Sequence, residues 1–224
     1  MTGLDFYNAS VHLQGFSSLC IFLIAVALAG LPYTKEVKIF VVYGFISFLF
    51  YLGQMVSPVQ YINPIGDFFV LFETSIFFFL YYTVSSSKWK KVPVMVASAG
   101  FYVVFLSYLL SEEKGLGASI RSYRDLGLII FSITYFAWLL NNLTQQKLSK
   151  LPMFWINSAI LFFFSCTFIL SLSMSYIAVA FRDDFALFWA FRNFLRVGFC
   201  LVICLGIWKA RKLPSQPQPR NTIS

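Results

Sequence analysis

The fold of this chain is indicated by the apolar stretch at residues 184–204, which reads DFALFWAFRNFLRVGFCLVIC. The stretch is long and apolar enough to form a membrane-spanning helix, yet it contains Arg192, Asn193 and Arg196. Because Arg192 and Arg196 are four residues apart, they share one face of a helix, with Asn193 beside them. A cation that faces lipid at this depth costs several kcal/mol. We therefore expect this face to look into a helix bundle or a water-filled cavity.

The composition of the whole chain is typical of an integral membrane protein. Of its 224 residues, 59% are hydrophobic and only 12% are charged, which is about half the charge density of a soluble domain. At this length we expect one transmembrane domain over residues 1–212. The remaining segment, 213–224, is polar and contains three prolines, so we predict a disordered cytoplasmic tail.

Seven segments reach spanning length, which predicts an all-α, seven-transmembrane-helix bundle. The predicted segments are 9–31, 38–57, 64–86, 92–111, 119–143, 152–180 and 185–208. Proline is tolerated in the first turn of a helix and disrupts later turns. The interior prolines are accordingly predicted to lie at segment starts or in connections: Pro32, Pro58, Pro64, Pro93 and Pro152.

The distribution of basic residues predicts the orientation of the bundle. Eleven of the 17 lysines and arginines lie in the loops and tail that follow the odd-numbered segments. The opposite side carries the acidic residues Asp5, Asp67, Glu112, Glu113, Asp183 and Asp184. The positive-inside rule then places the N-terminus outside and the C-terminus in the cytoplasm. Since the positive charge lies in short runs between apolar segments, we expect the lipid bilayer, and not nucleic acid, to be its partner.

With this orientation, the ionisable residues of the membrane interior gather in the outer half of the bundle. At about 1.5 Å per residue, Glu73 and the Arg124–Asp125 pair lie roughly 9 Å below the outer surface, and Arg192 and Arg196 lie roughly 12–18 Å below it. We predict a ligand-binding or charge-coupling layer that consists of Glu73, Arg124, Asp125, Arg192, Asn193 and Arg196.

Two interpretations of this layer stay open. In the first, Glu73 pairs with Arg192 or Arg196, Asp125 pairs with Arg124 or a neighbour, and these pairs only fix the helices. In the second, a water-accessible pocket opens to the outside, and the arginines hold a carboxylate or a phosphate.

Three further polar residues are secondary candidates. Asn157 and Ser158 lie near the cytoplasmic start of the sixth helix, and Gln54 ends the second helix on the outer side. Small hydroxyl residues in the sixth helix favour close helix packing. A polar conduction path is the alternative.

Several classes of chemistry are excluded or weakly supported by the sequence. The chain has one histidine, His12, whereas seven-helix zinc hydrolases need several histidine ligands; we expect no metal and no cofactor. A retinal Schiff base needs a lysine deep in the last helix, and Lys209 lies at its cytoplasmic edge. No serine has a base predicted beside it. A lipid hydrolase that uses Glu73 with Asp125 or Asp67 stays possible.

The start of the sixth helix carries a family resemblance. Its motif includes Pro152, the run Phe154-Trp-Ile-Asn-Ser158 and a Phe-rich continuation to Ser165. Together with Asn63, Phe72-Glu73 and the Trp208-Lys209 ending, it resembles a family of bacterial seven-helix membrane proteins that stand alone or precede a sensor histidine kinase. The resemblance implies a signalling module of a bacterial inner membrane, without enzymatic activity.

We therefore expect a receptor-like sensor that binds an effector in the outer half of the bundle. Because the chain stops soon after the seventh helix, its output would pass to a separate partner, such as a histidine kinase. A small-solute transporter is the second hypothesis and a membrane enzyme the third. The sequence leaves oligomeric state open.

Overall fold

The computed structural model describes residues 3–28, 35–56, 59–85, 88–110, 117–142, 148–180 and 185–210. Within these ranges the protein is all-α with seven long helices, which confirms this part of the predicted fold class, and each long helix is apolar enough to cross a membrane. The helices are α1 (Gly3–Leu28), α2 (Lys35–Val56), α3 (Val59–Val84), α4 (Lys88–Leu110), α5 (Gly117–Asn142), α6 (Pro152–Ala180) and α7 (Phe185–Ala210), with one 3-10 turn, Leu148–Lys150, before α6.

The helices form a closed ring in sequence order. Each helix packs against the next along the chain, and α7 returns to pack extensively against α1. Helix α3 also contacts α5, so α4 lies outermost. This order places α2, α3, α5, α6 and α7 around one common interior.

Two glycines allow close approaches between helices. A Cβ atom on Gly44 of α2 would lie 2.6 Å from the backbone nitrogen of Phe22 on α1. A Cβ atom on Gly206 of α7 would lie 2.8 Å from Ile156 Cγ1 and 3.2 Å from the Pro152 carbonyl oxygen on α6. Small residues at such crossings let helix backbones approach in a membrane, where dispersion contacts are a main source of association.

The interior is packed mainly with aromatic rings. Phe77, Phe164 and Phe199 lie on α3, α6 and α7, and at most 2% of each side chain is exposed. Their ring centroids are 5.6–6.2 Å apart, with near-perpendicular planes. Edge-to-face packing of this kind aligns the positive edge of one ring with the negative face of the next. The abundance of Phe therefore builds a solid layer across the middle of the bundle.

The prediction for the interior prolines is wrong at two positions. Helix α4 begins at Lys88 and contains Pro93, and α3 begins at Val59, upstream of Pro64. Both helices extend beyond the apolar windows into polar residues, and each proline removes only one backbone hydrogen bond early in its helix. Residues 213–224 and the predicted outer acids Glu112, Glu113, Asp183 and Asp184 lie outside the described residues.

Candidate functional site

A buried cluster of four charges lies between α3, α5 and α7. Glu73 is 2% exposed, Arg124 1%, Asp125 0% and Arg196 5%. Glu73 is at the centre: Arg124 Nη1 lies 2.9 Å from its Oε2, and Arg196 forms an ion pair with its Oε1. The structure thus brings together four of the six residues predicted for the charge layer.

Arg124 links the two carboxylates of the cluster. Its Nε donates to Asp125 Oδ1 at 2.8 Å, while Nη1 donates to Glu73. Adjacent residues on a helix do not normally face each other, but the long arginine side chain reaches back across its own helix to Asp125. One guanidinium therefore joins α3 to α5.

Tyr43 brings α2 into the same cluster. Its hydroxyl donates to Glu73 Oε1 at 3.0 Å and accepts a hydrogen bond from Arg196 Nη2. The Arg196 guanidinium also lies 5.2 Å from the ring centroids of Phe163 and Phe199. Contacts with aromatic faces stabilise a desolvated cation, so the rings below Arg196 compensate part of its burial.

The four buried charges cancel, with two arginines against two carboxylates. Removing one partner of such a set leaves an uncompensated buried charge and costs about 3–5 kcal/mol. The cluster therefore holds α3, α5 and α7 in a fixed relation, as the structural interpretation of the sequence expected. Arg192 takes no part in it.

A cavity of about 710 Å³ leads from one end of the bundle down to this cluster. Its walls come from the first halves of α1, α3, α5 and α7 and from the last turns of α2, with Phe163 of α6 at depth. The lining residues are Tyr7, Asn8, Val11, His12, Gln14, Tyr51, Gln54, Met55, Gly66, Phe69, Val70, Glu73, Arg121, Arg124, Phe163, Ala186, Trp189, Arg192, Asn193 and Arg196.

Arg192 and Asn193 occupy the cavity wall above the cluster. The Arg192 guanidinium lies 5.1 Å from the ring centroid of Trp189, one helical turn earlier. Asn193 Nδ2 donates to Ser10 Oγ at 3.0 Å, and Ser10 Oγ donates to the Tyr7 carbonyl oxygen at 2.6 Å. Asn193 therefore serves to bind α7 to α1, while Arg192 faces the cavity.

A second ion pair lies nearer the end of the bundle. Arg121 Nη2 is 3.6 Å from Asp67 Oδ1, and the Tyr108 hydroxyl donates to Asp67 Oδ2 at 2.9 Å. Both charged side chains are partly exposed, at 27% and 21%. Exposed pairs contribute little to stability, and because Asp67 balances Arg121, the pair adds no net charge to the cavity wall.

The secondary candidates do not join the cavity as a group. Asn157 is fully buried; its Oδ1 accepts from Tyr81 at 2.7 Å and from Ser132 at 2.9 Å, and its Nδ2 donates to the Ser132 carbonyl oxygen at 3.0 Å. Ser158 donates to the Phe154 carbonyl oxygen of its own helix. Gln54 lines the cavity, as noted above. Asn157 therefore forms a separate interhelical lock between α3, α5 and α6.

The layer of Phe77, Phe164 and Phe199 separates this lock from the charge cluster. Tyr81 follows Glu73 by eight residues and Ser132 follows Arg124 by eight, which corresponds to about 12 Å along each helix. Leu128 fills the same level on α5 and is fully buried. The predicted polar path from the charge layer to Asn157 is thus interrupted by side chains in this structure.

Sequence reasoning missed several contributors to the site. Arg121 precedes Arg124 by three residues, a spacing that places both on one helix face, so it could have been included. Tyr43 carries no distinguishing signal, because it is one of 12 tyrosines and its role depends on helix order. Ser10 is the second residue of the predicted segment 9–31, whereas α1 begins at Gly3 and has Ser10 in its third turn.

The described residues contain no group of three or more His, Cys, Asp or Glu side chains that could hold a metal ion. Comparisons of the chain with known protein families, with curated proteins and with solved structures find no match. The function must therefore be inferred from the cavity and the buried cluster.

Proposed function

We propose that this chain is a multi-pass protein of a bacterial inner membrane, with its N-terminus outside. Seven helices of spanning length and composition support this, as does the concentration of basic residues in the loops after the odd-numbered helices. Aromatic side chains add support: Trp155 donates to the Ser149 carbonyl oxygen near the basic end, and Lys209 lies 5.6 Å from its ring centroid. Tryptophan and lysine of this kind are typical of a membrane interface.

We infer that the protein acts as a receptor-like sensor whose effector enters the cavity from outside. The observation that carries this inference is the position of the buried cluster at the inner end of the cavity. An effector that contacts Arg196 competes with Glu73 for the same guanidinium, and Glu73 is also held by α2 and α5. Occupation of the cavity therefore shifts α7 relative to the helices that carry Glu73, Tyr43 and Arg124.

Two features favour a sensor over a transporter. Beyond the charge cluster, the bundle is closed by Phe77, Phe164 and Phe199, and beyond them by the Asn157 lock. A transporter must open this layer of buried rings during its cycle. The transporter hypothesis predicts a flux of solute across the membrane, and the sensor hypothesis predicts none.

The geometry gives little support to a lipid enzyme. A general acid or base must exchange a proton with substrate, yet Glu73 is held by two arginines and a tyrosine hydroxyl. Asp125 is fully buried beside Arg124 and does not line the cavity. Both carboxylates are better suited to holding helices in place.

The output of the sensor would pass to a separate cytoplasmic partner. The ends of the helices opposite the cavity carry Lys150, Lys209 and further lysines of the predicted cytoplasmic loops. A basic surface favours an acidic protein surface or anionic lipid headgroups. The resemblance to the family that occurs fused to sensor kinases supports a histidine kinase as that partner.

Thiol labelling tests this proposal. In a variant whose four native cysteines are replaced by alanine, we expect Ala186→Cys in the cavity wall to react with a membrane-impermeant maleimide from the outer side. Lys150→Cys is expected to react only from the cytoplasmic side. Ile203→Cys, which is fully buried beyond Phe199, is expected to react from neither.

Two results would contradict the sensor hypothesis. Labelling of Ala186→Cys only from the cytoplasmic side would reverse the proposed orientation. Labelling of Ile203→Cys from both sides, together with flux of organic solutes into proteoliposomes, would favour the transporter.

A further inference from the structure

The cavity wall has one positive charge more than its ion pairs neutralise. Arg124 and Arg196 are balanced by Glu73 and Asp125, and Arg121 is balanced by Asp67. In the part of the chain that the structure describes, Arg192 forms no ion pair. Its guanidinium contacts the Trp189 ring and lines the cavity.

A second observation lies one helical turn deeper on the same face. Arg196 is 5% exposed and lines the cavity, and its Nε has no hydrogen-bond acceptor within the described residues. A buried donor without an acceptor costs about 1–3 kcal/mol. An anion between Arg192 and Arg196 would neutralise the excess charge, and an acceptor atom that reaches this donor would satisfy it.

The remainder of the wall near these arginines is largely apolar. The Phe69 ring lies 5.2 Å from the Arg196 guanidinium and the Trp189 ring 5.1 Å from that of Arg192, and Val11 and Met55 line the same cavity. The volume of about 710 Å³ falls in the range of cavities that enclose small organic molecules. A ligand that fills this space therefore has an apolar body as well as a charged group.

We propose that the cavity binds an organic monoanion, with its carboxylate between Arg192 and Arg196 and its apolar body against Phe69 and Trp189. This assignment names the ligand class of the proposed sensor site and so rests on the proposed function. One unpaired guanidinium matches one negative charge. A phosphate monoester carries about −1.5 to −2 charges at neutral pH and would leave a net negative charge beside Glu73.

Binding of this ligand changes the buried cluster directly. The carboxylate attracts the Arg196 guanidinium and weakens the ion pair between Arg196 and Glu73, while Arg124 and Tyr43 keep Glu73 bound to α5 and α2. The ligand therefore loosens one of the two ion pairs by which Glu73 joins α3 to α5 and α7.

The experiment measures binding to the full-length protein in nanodiscs of zwitterionic lipid. The probe is 4-phenylbutyrate, and its matched controls are the neutral 4-phenylbutanol and the cationic 4-phenylbutylamine. We expect saturable binding by calorimetry for the acid, and at least tenfold weaker binding for the alcohol and the amine. Phenyl phosphate, as a dianion, is expected to bind more weakly than the carboxylate.

Variants locate the charged group. Arg192→Gln is expected to weaken binding of the acid by about tenfold or more, since a charge-assisted hydrogen bond is lost. Lys150→Gln makes the same change in net charge at an exposed position outside the cavity and is expected to leave binding unchanged. Arg192→Lys keeps the charge and is expected to give an intermediate affinity.

The carboxylate ligand can be a soluble acid from the aqueous phase or an acid from the bilayer, and a different probe tests each source. Sodium 4-phenylbutyrate tests a soluble acid, and oleate incorporated into the nanodisc tests a membrane-derived one; binding of either that depends on Arg192 supports the proposal. Binding of 4-phenylbutyrate no tighter than that of 4-phenylbutanol would overturn the proposal, whether or not the Arg192→Gln variant folds. If Ala186→Cys still reacts from outside in that case, the sensor cavity stands and only the ligand class is wrong.

Discussion

Replacing Glu73 by Gln should destabilise the bundle far more than the same change in an exposed pair. Glu73 is the carboxylate shared by Arg124 and Arg196 and the acceptor for Tyr43. After the replacement, Arg124 keeps Asp125, but Arg196 has no carboxylate left among the described residues and is 5% exposed. Breaking a buried pair in this way costs about 3–5 kcal/mol. The control Asp67→Asn breaks a partly exposed pair and should cost about 0–1 kcal/mol.

The double variant makes this expectation more specific. Arg196→Gln alone leaves Glu73 paired with Arg124 and bonded to Tyr43, so it should cost less than Glu73→Gln. The combination of Glu73→Gln with Arg196→Gln removes both charges. It should therefore be more stable than Glu73→Gln alone, with an interaction free energy of about 1–3 kcal/mol.

The assay is reversible unfolding in mixed micelles, monitored by tryptophan fluorescence or by circular dichroism, with the free energy of unfolding compared across the cycle. Two results would refute the reasoning. One is a decrease in the free energy of unfolding for Glu73→Gln that is no larger than the decrease for Asp67→Asn. The other is strict additivity of the two single changes, which would mean that Glu73 and Arg196 do not interact.

Two further changes test the helix packing. Gly206→Ala places a Cβ atom against α6 and should lower the free energy of unfolding by about 1–3 kcal/mol through overpacking. In the control Gly53→Ala, the new Cβ atom meets no atom within 4 Å and should not destabilise the protein. Equal unfolding midpoints for the two variants would contradict the close approach of α6 and α7. Asn157→Leu leaves the buried Tyr81 hydroxyl without its acceptor and should lower the free energy of unfolding by about 1–3 kcal/mol. Ser158→Ala should be nearly neutral in the same assay. A larger decrease for Ser158→Ala than for Asn157→Leu would contradict the role of Asn157 in joining α3, α5 and α6.

The sequence predicted the helices well because spanning length and charge exclusion are strong local constraints. All seven predicted segments coincide with helices, and the errors lie at the ends, where Pro93 is inside α4 and α1 begins at Gly3. Hydropathy detects the apolar part of a helix but does not detect the polar turns that extend it. Helix ends are for that reason the least predictable feature.

The sequence predicted which charged residues lie at a similar depth in the bundle, but not which of them pair with each other. Shared depth grouped Glu73, Arg124, Asp125 and Arg196, because burying a charge demands a counter-charge at the same level. Which arginine pairs with Glu73 depends on helix order and rotation, and these follow from contacts such as that of Gly206 with α6. Tyr43 could not be identified for the same reason.

In the proposed sensor, negative charge in the cavity shifts α7 through Arg196. This shift can be tested without knowing the natural ligand, by attaching a sulfonate or a trimethylammonium group through a disulfide to Phe69→Cys in the variant without native cysteines. The Phe69 ring lies in the cavity wall, 5.2 Å from the Arg196 guanidinium. Hydrogen–deuterium exchange is then measured at residues 200–210, the far end of α7. We predict faster exchange for the sulfonate adduct than for the trimethylammonium adduct, and no such difference when Arg196 is replaced by Gln. Equal exchange for the two adducts with Arg196 in place would contradict the claim.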